Sequence, residues 1–400
     1  MSKQESHVII IGAGITGLLT AQGLKLAGIP FSIFDSESSQ NVRTREWTLA
    51  INYASHDLET LLPSCLYSRL REAYTDPHHD YTGMNYTPMY NGGTGEKIYD
   101  MVHRELILVS RRRMRKLCSE GLEVRYGMRF QGASFENEKV QAKFEGGEVV
   151  EGDLLVGCDG TKSGVRKVLL GAEKAQRTLC RLRLTTANVK YANPEAVRRI
   201  RSLTTRNALG YHSDGMFNMI AISNVPDPND PTTWEFYLAH SILGDSPQGL
   251  DNATILASLK SHGQKLADPF KISIMEISES TPVFNDRLYY WIPIPWDNHD
   301  GRMTLAGDAA HPMPPYRGQG LGQSIRDATL LVGALKAKKE SFKSSIPSLI
   351  NDYEEEMIKR SKEEVEMSVQ ALNLAHDWEK LLKSPIMKLA GRKISEAQIE

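Results

Sequence analysis

The chain has little cysteine, no excess of either charge and no apolar run long enough to span a membrane unbroken, and each lack removes a class of function. Only four cysteines occur in 400 residues (Cys65, Cys118, Cys158, Cys180), scattered along the chain. Their spacing fits no metal site and no disulfide framework, so reduced thiols in a cytoplasmic protein are expected. Lys and Arg total 48 against 49 Asp and Glu, a formal net charge of −1. That balance gives no electrostatic case for nucleic acid or an anionic membrane. Residues 8–29 are apolar enough to imitate a membrane span, but their glycines and Lys25 fit a nucleotide-binding turn better, so no transmembrane segment is expected. The closing KISEAQIE is polar and offers no anchor. Repeats and low-complexity stretches are missing too. What is present is a hydrophobic content of 40%. That is ample for a core, over a length that suits two domains or one with an insertion.

The most informative stretch is LAGDAAHPMPPYRGQGLGQSIRDA, Leu305 to Ala328. Pro312, Pro314 and Pro315 keep the backbone extended until about Tyr316. Gly318, Gly320 and Gly322 allow close backbone approach to a planar or charged group. Leu321, Ile325, Ala328, Leu331 and Leu335 then follow helical spacing, so a helix N-terminus with bare N–H groups points into the loop. Asp308, just after Gly307, can accept hydrogen bonds from sugar-like hydroxyls. A ligand with a polyol and a developing negative charge fits both ends, as reduced flavin on its ribityl chain does. At the other end of the chain, HVIIIGAGITGLLTAQGLKLAGIPFSIFD reads as strand, turn, helix, turn, strand. Gly12, Gly14 and Gly17 form a G-x-G-x-x-G turn, and Asp35 closes the second strand where an acid binds a ribose diol.

Between these ends the chain is mixed. Residues 37–100 resist assignment, and HHDYTGMNYTPMYNGGTGEK reads as a polar, aromatic loop. There Met84, Tyr86, Met89 and Tyr90 suit either a substrate wall or a surface loop. Residues 106–118 read as a strand end and a basic helix, and 122–156 as an antiparallel meander. LLVGCDGTKSGVRKVLLG gives a buried strand, a Gly turn and a helix start. Residues 180–285 are rich in strand patterns. There Trp234, Phe236, Leu238 and His240 alternate with Glu235, Tyr237, Ala239 and Ser241, giving one apolar-aromatic sheet face. From 346 the pattern is amphipathic helix.

Three motifs thus occur in order: G-x-G-x-x-G, Asp159-Gly160 and Gly307-Asp308. Together they resemble the single-component FAD-dependent monooxygenases with the para-hydroxybenzoate hydroxylase fold, over about 1–180 and 285–340. REWTLAINY (45–53), LILVSRRRMRKL (106–117) and PWDNHDGRMTLAGDAAHPM (295–313) resemble a fungal branch linked with secondary metabolism. The resemblance implies an α/β fold: a Rossmann-like FAD-binding domain (1–179 and 286–345), an inserted, mainly antiparallel β-sheet substrate domain (180–285, with part of 60–105) and C-terminal helices (346–400). It implies that Gly12, Gly14 and Gly17 hold the pyrophosphate, and that Asp35 takes the adenosine ribose. Arg111 reaches the ribityl or pyrophosphate region, and Arg45 approaches FAD. Asp159 and Gly160 serve FAD and NAD(P)H, Asp308 accepts from the ribityl hydroxyls, and Pro315 with Gly318, Gly320 and Leu321 wraps the isoalloxazine. One departure stands out: the family usually carries Asn where this chain has Gly322.

The implied chemistry is the cofactor's. NADPH or NADH visits and reduces FAD, O2 adds to give a C4a-hydroperoxide, and a small aromatic, polyketide or isoprenoid-derived substrate is hydroxylated or epoxidised. GGTG at 92–95 lacks the flanking strand and helix of a second dinucleotide site. The same fold also hosts reductases, halogenases and cyclase-like isomerases, and flavin proteins without turnover. The general base stays open among Tyr237, His240, His212 and Tyr211. His311 reads as packing behind the flavin loop. Of Arg111, Arg112 and Arg113, two are explained by a solvated helix face. WIPIPW (291–296) reads as packing and does not match the halogenase pattern it resembles.

Overall fold

A computed structural model describes residues 6–384 except 41, 43 and 44. The last part of the 346–400 helical expectation and the polar tail lie outside the described residues.

The first strand, Val8–Ile11, is wholly buried and lies at the centre of a five-stranded parallel sheet. Its neighbours are Leu154–Gly157 on one side and Phe31–Asp35 on the other, with Met303–Leu305 and Val124–Tyr126 at the edges. Such a sheet is covered on both faces, which is why its strands read as apolar runs without alternation. Ile11, Gly157 and Leu305 share one register level at the carboxyl ends. Ligands bind there in open parallel sheets. Thus all three motifs emerge at one rim, although 295 residues separate Gly12 from Gly307.

Phe130–Glu136, Lys139–Phe144 and Val149–Gly152 form the expected meander, an antiparallel three-stranded sheet. The flanking 124–126 and 154–157 belong to the parallel sheet instead.

The second large sheet has seven strands, in the order 283–286, 182–190, 235–243, 217–224, 207–211, 85–91, 97–103. Its pairs are antiparallel except Asn207–Tyr211 with Asn85–Asn91. The supposed loop around residue 90 is therefore two strands, and GGTG is the turn between them. Local composition, with Pro88 inside, hid a hairpin whose first strand also pairs with Asn207–Tyr211, 120 residues on. Met84 and Tyr86 are exposed, whereas Met89 is buried and the Tyr90 hydroxyl donates to Leu203 O at 2.8 Å, so these four side chains make no common wall.

The strand Glu235–Leu243 is buried on both faces rather than one. Phe236 and Leu238 pack on the helices Asn252–Gly263 and Phe270–Met275. Tyr237 and Ala239 face the other way, toward Trp47, Leu106, Leu108 and Tyr316. The long helix Phe342–Ala375 then crosses back, and the Tyr353 hydroxyl donates to Leu305 O at 2.9 Å.

Candidate active site

The G-x-G-x-x-G turn is shaped by contacts with the other two motifs. Gly12 has φ +106°, and a Cβ there would stand 2.4 Å from Cys158 O and 2.9 Å from Asp159 Cα. Gly307 has φ +63°, and a Cβ there would meet Thr16 Oγ1 at 2.4 Å and Ser324 Oγ at 3.0 Å. Both positions exclude any side chain. A Cβ on Gly17 would sit 2.0 Å from Gly12 O, so the helix Ile15–Ala27 can approach its strand only through glycine.

Two helix N-termini open at this rim. Ile15–Ala27 and Gly320–Ala337 each start with no side-chain cap and no acid in the first turn. Elsewhere Ser110, Ser163, Asn193 and Asp251 cap their helices. Nothing lies within 4 Å of a Cβ built on Gly14 or Gly320. Bare N–H groups, a positive dipole end and open space are what a pyrophosphate and the anionic edge of a reduced flavin require. Pro315 is exposed, Gly318 turns the chain with φ +65°, and Leu321 is buried behind the helix start.

Asp308 keeps an accessible side chain, yet burial is the largest influence on its carboxyl and raises its pKa. His311, Arg111 and Arg166 oppose the rise, which places the Arg111 charge within reach of Asp308. Asp35 is brought to the glycine turn: its carboxylate accepts from Ala13 N at 2.7 Å and Glu37 N at 2.8 Å. Asp159 accepts from Gly164 N at 2.7 Å and Val165 N at 3.1 Å, while its other, buried oxygen has no partner. Gly160 follows with φ +75° and open space at its Cβ. These donors, acceptors and clearances fit FAD.

Several residues that sequence reasoning passed over hold this rim together. Arg166, 1% exposed, donates to Ala309 O at 2.6 Å, Thr161 O at 2.8 Å and Ala175 O at 3.3 Å. Burial pulls its pKa down to about 10, and its guanidinium lies 5.0 Å from the Trp291 ring centroid. It ties the Asp159-Gly160 motif to the Gly307-Asp308 loop. Behind that loop the wholly buried Asp327 accepts from Gly307 N at 2.7 Å, His311 Nε2 at 2.6 Å and Arg360 Nη2 at 2.8 Å. Arg115, buried below the glycine turn, donates to Ala13 O at 3.2 Å and pairs with Glu37. Its i+4 spacing from Arg111 was the available signal.

Other expectations are displaced. The Arg45 guanidinium is taken up by a bidentate pair with Asp286 and a bond to Thr186, between the rings of Trp47 and Phe284. Arg113 is no solvated residue, since it donates to Asn224 Oδ1 at 2.9 Å and Tyr74 O at 2.8 Å. His240 lies on the far face of the seven-stranded sheet, bonded to Asn218 at 2.8 Å and His262 at 3.0 Å, and burial lowers its pKa to about 3. His212 sits in the turn after Tyr211, its Nδ1 accepting from Asp214 N at 3.0 Å. Tyr237 faces the rim side, 5.8 Å from Trp47 between ring centroids, with burial raising its pKa, and Tyr211 lies on the same face of the sheet. Tyr211 packs 5.3 Å from Phe217. Among the described residues no His/Cys/Asp/Glu group suits a metal, and no helix is long and apolar enough to cross a membrane.

Residues 5–368 match the family model described as FAD binding domain. The chain is 38% identical over 392 residues to the FAD-dependent monooxygenase phnB of Penicillium herquei, covering 97% of this chain and 95% of that one. It is 34% identical over 381 residues to the FAD-dependent monooxygenase cctM of Talaromyces islandicus, covering 95% of each. Among solved structures, Klebsiella pneumoniae HpxO complexed with FAD and uric acid superposes with a TM-score of 0.76 at 19% identity, over 98% of this chain and 95% of that one. That likeness shows the fold.

Proposed function

The chain belongs to the FAD binding domain family, alongside fungal FAD-dependent monooxygenases, and from that premise we propose that it spends NAD(P)H and O2 to hydroxylate or epoxidise an electron-rich aromatic, polyketide or isoprenoid-derived small molecule. One observation carries the reading. Two uncapped helix ends and the exposed Asp308 carboxylate converge at one sheet rim, beside a cluster of Trp47, Tyr237 and Tyr316.

In this reading residues 1–179 and 286–345 hold FAD, while 180–285, with the strands at 85–103, cover the substrate; the cytoplasm is its place of action. Bound FAD would supply the redox chemistry, with NAD(P)H as the reductant and O2 as the oxidant. The protein binds and orients. N–H groups at Gly14 hold the pyrophosphate, Asp35 the adenosine ribose, and Arg111 and Asp308 the ribityl chain. The Gly320 helix end stabilises negative charge on the ring edge by about 1–2 kcal/mol. The apolar sheet face excludes water from the reacting carbon.

The test is rapid mixing of the photoreduced, FAD-loaded protein with oxygenated buffer, followed by absorbance. A transient spectrum distinct from both reduced and oxidised flavin supports a monooxygenase. Single-phase reoxidation, with and without an aromatic ligand, supports a reductase or isomerase instead.

A further inference from the structure

At the end of the seven-stranded sheet away from Tyr316, buried polar atoms gather without partners. Phe217, whose ring packs 5.0 Å from that of Tyr316, and Ser223 lie toward opposite ends of the strand Phe217–Asn224. They are about 20 Å apart at roughly 3.4 Å per residue. Around Ser223, six buried side-chain atoms make no hydrogen bond: Thr75 Oγ1, Tyr81 Oη, Arg113 Nε, Arg201 Nη1, Arg206 Nε and Ser223 Oγ. The fold brings them together from separate segments. Thr75 O accepts from Val225 N at 3.1 Å, Arg206 O accepts from Ile222 N at 2.7 Å, and Arg113 Nη2 donates to Ser223 O at 3.4 Å. Tyr81 packs edge to face on Tyr74 and His79, at 5.1 and 4.8 Å between ring centroids.

Two of these side chains are cations that bond only neutral groups. Arg206 is 6% exposed. Its Nη1 donates to Asn85 Oδ1 and lies 3.5 Å from His79 Nε2. Burial, and then Arg206 itself, hold His79 below its ordinary pKa, so that ring is neutral. Arg113 donates to Asn224 Oδ1 and to the carbonyls of Tyr74 and Ser223. Glu46 and Glu235 act on Arg113 from a distance. Asp76 is spent on Arg201, at 2.6 Å, and on the N–H groups of His78 and His79. The Tyr81 hydroxyl is within electrostatic reach of Arg113, Arg206 and Asp76. A guanidinium withdrawn from water is costly unless an opposite charge meets it, and each buried hydroxyl or N–H without a partner adds to the cost.

We propose that Arg113, Arg206, Tyr81 and Thr75 bind one small inorganic oxyanion, of the sulfate or phosphate type, at this end of the sheet. Every group offered is an N–H or O–H donor, and a tetrahedral ion presents oxygens to several segments at once. Burial of the donors favours the free ion over a bulkier phosphate ester. The cover above them is thin, since His78, Asp80, Thr82, Gly83 and Met84 are all exposed. The ion would offset the stranded positive charge and fasten this stretch to the sheet and to the helix Arg111–Ser119. The site stands apart from the Tyr316 end of the sheet, and the inference does not rest on the function proposed above.

The experiment is isothermal titration calorimetry of the full-length, FAD-loaded protein with sodium sulfate, at an ionic strength held constant with sodium chloride. The wild type should bind one sulfate per chain, saturably. Tyr81→Phe and Thr75→Val each remove a hydroxyl that has no partner in the protein, so both should fold as the wild type does and bind sulfate about tenfold more weakly. Arg206→Gln should abolish the binding heat. A wild type that takes up no sulfate overturns the proposal, and so do hydroxyl variants that bind it as tightly as the wild type; water then fills the cluster. Hydrogen exchange on the wild type alone locates the ion. The amides of residues 76–84 should exchange more slowly with sulfate present, and unchanged exchange there also overturns the assignment. Sulfate held instead at a helix end on the FAD rim would persist in all three variants, which counts against the site.

Discussion

Replacing Gly322 with the Asn usual in this family should destabilise the protein, even though almost any residue is a better helix former than glycine. Gly322 is the third residue of the helix Gly320–Ala337, and a Cβ there would stand 2.7 Å from Tyr53 Cε1 and 3.0 Å from Tyr53 Cζ. Ordinary contact begins at 3.4 Å, so the ring has to retreat by about 0.7 Å before the rest of the Asn side chain is placed. Relief from glycine in a helix contributes at most about 1 kcal/mol, and less for Asn than for Ala. Forced repacking costs about 1–3 kcal/mol. The ring is 43% exposed, but its backbone follows the strand Thr48–Ile51, whose Ile51 pairs with Ile107, so it has to turn about a Cα held close to that strand. The balance is a loss of about 1–2 kcal/mol for Gly322→Asn. In the proposed function the same helix end meets the flavin, so each 1.4 kcal/mol of misplacement should weaken FAD about tenfold.

The assay is a double-mutant cycle with Tyr53→Ala, read by urea denaturation and by FAD Kd from flavin fluorescence. Tyr53→Ala opens the space, so the double variant should recover at least about 1 kcal/mol relative to additivity. A Gly322→Asn protein more stable than wild type, with no coupling to Tyr53, would refute the reasoning: the aromatic ring would then not be what occupies the missing side chain's place.

Three further outcomes are expected. Asp308→Ala should lose FAD while keeping its far-UV circular dichroism, because the side chain is accessible and its removal leaves the protein's own packing in place; full flavin occupancy in that variant would remove Asp308 from the site. Arg166→Met should cost about 3–5 kcal/mol and lower FAD affinity, since it strands the carbonyls of Ala309 and Thr161, and Arg166→Lys should not rescue it because one ammonium cannot replace the planar fork; chemical denaturation checks both variants. His240 is held neutral in the fold with its pKa near 3, against about 6.5 when unfolded, so its contribution is intact above pH 6.5 and is lost as pH falls toward 3. The loss totals on the order of 4–5 kcal/mol, and His240→Gln should flatten the acid limb of a stability–pH curve without moving its neutral plateau.

What the sequence made legible was local. The glycine turn, the Asp35 spacing, the meander and the Gly-Asp loop each depend on residues within about thirty positions, and each appears where expected. The errors share a cause, a partner far along the chain. Arg45 meets Asp286 across 241 positions. The strand Asn85–Asn91 finds Asn207–Tyr211. Tyr53 covers Gly322. One signal was available and unused. Tyr237 and His240 differ by an odd number of residues on one strand, so period-two alternation already forbade both from facing the same site.

The glycines of the three motifs divide by the same distinction between contact within the fold and contact with a ligand. At Gly12, Gly17 and Gly307 an added Cβ would lie within 2.4 Å of protein atoms, so these positions are closed by the motifs' own packing. At Gly14 and Gly320 an added Cβ would meet nothing within 4 Å, at the starts of the two uncapped helices that share the rim. If packing alone had selected glycine, the second pair would tolerate a side chain and would gain helix stability from one. Their bare backbone leaves those N–H groups open to close approach. The first set of glycines brings three distant segments to one place, and the second leaves that place open, as the proposed binding of an anion there requires.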